Sequence, residues 1–208
     1  MERSMNLANK LTVSRLFMTL VFVGFASVPL KHASCLFGWQ SEIELIWWKI
    51  GYVIAILAGV TDFFDGYLAR KYDMVTDFGK LMDPLSDKIH TVSSFVVLTA
   101  YDIVPIWITC IILTREFAVT GLRTMAAKNG IVIAAKNIGK IKTVLQMLIL
   151  AFGGCFWVKW LELDNSLHGS TPVTYWIWKG LLWGISIITV YSGIEYFWKG
   201  RDVYVNDL

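Results

Sequence analysis

Charge is scarce in this chain. Asp, Glu, Lys and Arg make up 17% of its 208 residues, against about 25% in ordinary soluble domains. The net charge of +3 is too small to argue for a nucleic-acid partner. Cysteine is nearly absent as well. Three are present, none at zinc-ligand spacing, so a metal–thiolate site is excluded. Cys110 falls within an apolar run, and nothing in the sequence places Cys35 and Cys155 in contact. Cys35 also lacks the leucine three residues upstream that lipoprotein processing expects, and Lys31 and His32 interrupt the region after the first apolar run. That run therefore reads as a retained anchor rather than a cleaved signal. Internal repeats and low-complexity stretches are missing too, which leaves one domain over residues 1–208.

What fills the chain is apolar sequence, 56% of all residues. It falls in six blocks, at about 12–30, 44–70, 84–101, 105–126, 138–159 and 175–198. Each is of the order of the ~20 residues needed to cross a hydrocarbon core as a helix. The expected fold is an all-α integral membrane protein with six transmembrane helices. Asn6 to Arg15 are expected to form a short N-terminal helix lying at the membrane surface. With six spans, fifteen of the Lys and Arg residues fall on the side of the two termini. Four (Lys31, Lys49, Lys159 and Lys179) fall on the other. That excess predicts that both termini face the cytoplasm across the cell membrane. Trp39, Trp47, Trp48, Trp107, Trp157, Trp160, Trp176 and Trp178 cluster near the predicted outer ends, where they read as interface anchors.

Four carboxylates stand out against this background. Asp62, Asp65, Gly66 and Ala69 share one helical stripe at the end of the second block. Gly79, Asp83 and Asp87 share a face at the start of the third. Acids at such positions are expensive unless a ligand uses them. The neighbouring small residues let a bulky ligand approach the backbone. With no His or Cys among them, they form a hard oxygen site suited to Mg²⁺ or Mn²⁺. Two ions would neutralise the four charges and still bind phosphate oxygens. Asp73 and Asp77 read as solvated connecting residues, and His90 as a packing or hydrogen-bonding residue.

The full pattern is D-x2-D-G-x2-A-R-x8-G-x3-D-x3-D, from Asp62 through Arg70 and Gly79 to Asp87. It resembles the signature of the CDP-alcohol phosphotransferases at every fixed position. Further segments resemble the phosphatidylglycerophosphate synthase branch of that family. They are Asn9-x-Leu11-Thr12-x-x-Arg15, Thr114–Phe117, Gly121–Arg123, Gly139–Thr143 and Ser192–Tyr196. The resemblance implies that Asp62, Asp65 and Asp83 are metal ligands. Asp87 matches the base that takes the proton of the attacking hydroxyl while also touching a metal. Gly66, Ala69, Arg70 and Gly79 match the donor-nucleotide site, with Asn9, Thr12 and Arg15 as weaker additions. The same resemblance implies a homodimer and a CDP-linked donor, CDP-diacylglycerol.

The acceptor is read from basic residues. Arg115 and Arg123 lie in the fourth apolar block, and Lys140 and Lys142 open the fifth. Cations in such places need an anion. A phosphate on the acceptor supplies one, although pairing with Glu116 is the competing explanation, above all for Lys142. Choline and ethanolamine are excluded as cations. Glycerol 3-phosphate and inositol phosphate remain, and the branch resemblance selects glycerol 3-phosphate. Alternative readings are cardiolipin synthase or phosphatidylinositol-phosphate synthase of the same superfamily. A divalent-cation transporter fits poorly, because all four acids lie toward one membrane side.

Overall fold

The computed structural model describes residues 7–27, 41–71, 77–128, 137–158 and 173–201, and every regular element among them is a helix. They are α1 (Leu7–Ser27), α2 (Ser41–Lys71), α3 (Asp77–Ala100), α4 (Ile106–Lys128), α5 (Asn137–Trp157) and α6 (Val173–Lys199). Each apolar block has become one helix, and the bounds extend past the blocks mainly where polar signature residues lie. The structure divides into two compact units, Met1–Ala100 and Tyr101–Leu208.

In the first unit α1 packs along both α2 and α3. Its buried stripe is Thr12, Arg15, Thr19, Phe22 and Ala26, at helical spacing. No proline interrupts Leu7–Ser27, so the expected surface helix over Asn6–Arg15 is not a separate element. From Leu7 onward it is the start of α1 itself. Helix α3 begins at Asp77 and runs through Pro84, which places Asp83 inside the helix. Ser86, His90 and Ser94 form the buried polar line of α3.

A relay joins the two lines. The Thr19 hydroxyl donates to the Arg15 carbonyl (2.9 Å) and lies 3.1 Å from His90 Nδ1. Its single proton being committed, the hydroxyl oxygen accepts from His90, which fixes the Nδ1–H tautomer. A Cβ at Gly59 would sit 3.9 Å from His90 Nε2, so α2 closes the other side of the ring. His90 is thus a hydrogen-bonded packing residue, as its position in the sequence implies. Replacing it with Leu is expected to cost about 1 kcal/mol. Thermal unfolding in detergent checks this, and adding Thr19→Ala to His90→Leu should produce little further loss.

In the second unit α6 packs against α4 and α5. Trp178 Nε1–H donates to the Ile103 carbonyl (3.3 Å), and its ring meets Phe156 edge-on. Trp157 packs against Tyr101. Both tryptophans are buried, so they are core residues and not interface anchors. Trp107 and Trp176 are exposed, as an anchor requires, while Trp39 and Trp160 lie outside the described residues.

Each unit buries several polar side chains and exposes many large apolar ones. Thr12, Arg15, Thr19, Ser86, Lys142, Gln146, Thr189 and Ser192 are inside. Phe17 (66% exposed), Leu20, Ile187, Ile194 and Trp198 (72% exposed) are outside. Water would select against such a surface. Among the described residues one stretch, Tyr175–Trp198, is by itself long and apolar enough to cross a membrane; Thr12–Ser27, Leu45–Thr61 and Ile141–Trp157 are shorter apolar runs. Helices α3 and α4 carry the charges of the candidate site, which lowers their hydropathy.

Candidate functional site

The signature falls on two helices of one unit. Asp62, Asp65, Gly66, Ala69 and Arg70 occupy the last turns of α2, and Gly79, Asp83 and Asp87 the first turns of α3. The two helices are in contact, and only residues 72–76 separate them in sequence. Both groups of signature residues lie on helical backbone. The α2 residues stand at the C-terminal end of their helix, where the macrodipole adds negative potential and favours cations. An all-oxygen donor set at such a place fits a hard divalent ion. Of the four carboxylates only Asp87 has a described side chain; it is half-buried and engaged in an interaction. The side chains of Asp62, Asp65, Gly66, Ala69, Arg70, Gly79 and Asp83 lie outside the described residues. Among those described, no group of three or more His, Cys, Asp or Glu is gathered as if for a metal.

On α1, Asn9 is helical with its side chain outside the description. Thr12 and Arg15 are both 1% exposed, on the stripe facing α2 and α3. A guanidinium this buried requires polar compensation. It lies in the same unit as the four aspartates.

The second unit holds the cationic residues. Arg115 on α4 donates through Nη2 to Ser192 Oγ on α6 (2.7 Å). Its Nη1 lies 3.7 Å from Glu116 Oε1. Lys142 on α5, 4% exposed, ion-pairs with the same Glu116 oxygen. Gln146, one turn on, donates to it at 3.4 Å. Arg123 donates to the Tyr196 hydroxyl. The Tyr196 ring lies 5.3 Å from Arg115 Cζ and 5.0 Å from Arg123 Cζ. Small residues permit this closeness. A Cβ at Gly193 would touch Arg115 Cγ at 3.4 Å, and one at Gly200 would press Leu122 Cδ2 at 2.6 Å.

Arg115, Arg123 and Lys142 are therefore brought together, as the sequence led one to expect, while the Lys140 side chain lies outside the description. The sequence left open whether Lys142 pairs with Glu116, and it does. Missed were Ser192, Tyr196 and Gln146 as the polar frame of the cluster. The available signal was spacing: Ser192/Tyr196 and Lys142/Gln146 are both i, i+4 pairs on apolar helices. Arg115 and Lys142 both meet the Glu116 carboxylate, while Arg123 meets the Tyr196 hydroxyl, so among the described contacts the three cations outnumber the carboxylate they surround.

The chain is similar to known proteins of one family. The family model for CDP-alcohol phosphatidyltransferase matches residues 5–190, which include the whole signature as well as Arg115, Arg123, Lys140 and Lys142. A relative from Bacillus subtilis (strain 168), named CDP-diacylglycerol–glycerol-3-phosphate 3-phosphatidyltransferase, is 35% identical over 95% of this chain and 96% of its own length. One of that name from Rickettsia felis is 36% identical over 72% of this chain and 77% of its own. A probable phosphatidylglycerophosphate synthase from Mycobacterium tuberculosis (strain H37Rv) is 34% identical, covering 97% and 85% of the two chains.

Proposed function

The chain belongs to the CDP-alcohol phosphatidyltransferase family, and from that premise we propose the reaction, acceptor and mechanism that follow. It transfers a phosphatidyl group from CDP-diacylglycerol to sn-glycerol 3-phosphate, giving phosphatidylglycerophosphate and CMP. The observation that carries this reading is the complete donor signature in a chain that also gathers Arg115, Arg123 and Lys142 on α4 and α5.

Asp62, Asp65, Asp83 and Asp87 would hold two Mg²⁺ or Mn²⁺ ions, which when bound neutralise the diphosphate and stabilise the departing CMP. Gly66, Ala69, Arg70 and Gly79, with Asn9 and Thr12, form the donor side. Arg70 supplies positive charge to the diphosphate, and the small residues admit the nucleotide. Buried Arg15 tempers repulsion among the acids. Arg115 and Arg123 hold the acceptor's phosphate, Lys140 adds charge at its entry, and Lys142 neutralises Glu116 so that the arginines stay available. The primary hydroxyl oxygen of glycerol 3-phosphate attacks the β-phosphorus. Its proton passes to a carboxylate oxygen of Asp87, and the bond from that phosphorus to the bridging oxygen breaks as CMP leaves. Asp87 needs no raised basicity for this, because position and charge neutralisation supply most of the assistance.

Residues 1–208 act as one membrane domain, the six helices crossing the cell membrane with both termini and the signature at the cytoplasmic face. The fifteen-to-four distribution of Lys and Arg and the large apolar side chains exposed on both units support this. Two copies associate, by analogy with the family. The test is CMP release by the detergent-purified protein with CDP-diacylglycerol and Mg²⁺, comparing acceptors. Release is expected with glycerol 3-phosphate alone. Release with phosphatidylglycerol or inositol phosphate instead would replace the acceptor and keep the family. Chelating the metal with EDTA should stop release, and added Mg²⁺ or Mn²⁺ should restore it.

A further inference from the structure

Arg115 and Arg123 are eight residues apart on α4, about 12 Å along the axis, yet their guanidinium groups flank one ring. Both side chains must lean toward Tyr196 to do so. Two like charges drawn together repel. Something must hold them there before an anion arrives. Tyr196 is 7% exposed and offers both faces of this requirement. Its π-system attracts each cation, and its hydroxyl takes a hydrogen bond from Arg123. The ring is itself held: Ser192, one turn back on α6, ties Arg115 to the same helix, and Gly139 at the start of α5 lies under the hydroxyl.

We infer that Tyr196 is a positioning residue that presets the spacing of the Arg115 and Arg123 guanidinium groups for a phosphomonoester dianion. It thereby sets acceptor selectivity rather than the rate of transfer. The inference rests on the proposed acceptor reading and adds to it a residue on α6 that touches neither substrate's reacting atoms. A phosphomonoester carries up to two negative charges at neutral pH and a phosphodiester one. A preset pair of guanidinium groups therefore favours the former. With the ring gone, the arginines separate and the dianion must gather them again, at a cost to affinity.

The experiment compares wild type, Tyr196→Phe and Tyr196→Leu in full-length purified protein. It reads kcat, the KM of each substrate and thermal stability. Phe keeps the ring and loses the hydroxyl, so the KM for glycerol 3-phosphate should rise about fivefold. Leu loses both and should raise it about thirtyfold or more. In both, kcat and the KM for CDP-diacylglycerol should stay within about threefold, as expected for lost uniform binding of one substrate. An unchanged acceptor KM in folded Leu variant overturns the inference. So does a parallel rise in both KM values, or a fall in kcat alone. If wild type proves not to use glycerol 3-phosphate, the acceptor reading fails by itself. Inorganic phosphate then decides for Tyr196 through thermal stabilisation. Stabilisation in wild type that weakens in Phe and vanishes in Leu supports the preset pair. Equal or absent stabilisation in all three overturns it.

Discussion

Replacing Asp87 by Asn is expected to lower kcat by about 10³-fold or more, combining the 10²–10⁴ that a positioned base contributes with loss of a ligand charge. The amide matches the carboxylate in size, so α3 should keep its course. What changes is that no oxygen of the residue can take the acceptor's proton. Asp87 is half-buried and one turn beyond Asp83, within a helix whose next turn is pinned to α1 by the His90–Thr19 bond. A loss of activity therefore reflects chemistry rather than a displaced helix. A Mg²⁺ titration separates the two roles given to this residue. If activity returns at high Mg²⁺, Asp87 acts only as a ligand. If it stays low at saturation, the proton-accepting role stands. Asp102→Asn is the matched control. It lies outside the site, is exposed, and sits in a left-handed turn conformation (φ 58°) that Asn adopts readily. CMP release by that variant should match wild type. A fall of less than tenfold in the Asp87 variant would remove it from the catalytic step.

Legibility from sequence followed the range of the interaction. The six helices were visible because each is a predominantly apolar run, and such a run needs no knowledge of its partners. The acidic signature was visible for a related reason. Its spacing, from Asp62 to Asp87, is set by helical periodicity and one short connection. The start of α1 shows the limit. Asn6 to Arg15 read as a short amphipathic helix at the membrane surface. The structure puts Arg15 on the inward stripe with Thr12 and Thr19. A sequence window sees the charge, but only packing tells whether it faces headgroups or a polar interior. Trp157 and Trp178 failed in the same way, since residues near a helix end can turn to the interface or into the core. The frame of the cationic cluster was the least legible part. Arg115 meets Ser192 across 77 positions and Arg123 meets Tyr196 across 73. Nothing local in Ser192–Tyr196 announces two arginines.

Arg115→Ala is expected to raise the KM for glycerol 3-phosphate by about 10²-fold or more, since each charge-assisted hydrogen bond from a guanidinium is worth about 1.5–3 kcal/mol. Arg123→Ala should do less, by about tenfold, because exposed charges are screened and buried ones are not. The Arg115 side chain is 10% exposed, whereas Arg123 is largely open to its surroundings. Two features make Arg115 hard to replace even conservatively. It reaches Ser192 and Glu116 with different nitrogens while lying over the Tyr196 ring. A lysine ammonium is a single point and cannot serve all three directions. Arg115→Lys should therefore resemble Ala more than wild type in acceptor KM, although the charge is kept. The KM for CDP-diacylglycerol should be little changed in either variant, because the donor is assigned to the aspartate signature on α2 and α3. Steady-state CMP release with each substrate varied in turn reads all of this at once. Equal increases for both substrates, or recovery of wild-type KM by Lys, would show that Arg115 supports the fold of its unit and not the acceptor's phosphate.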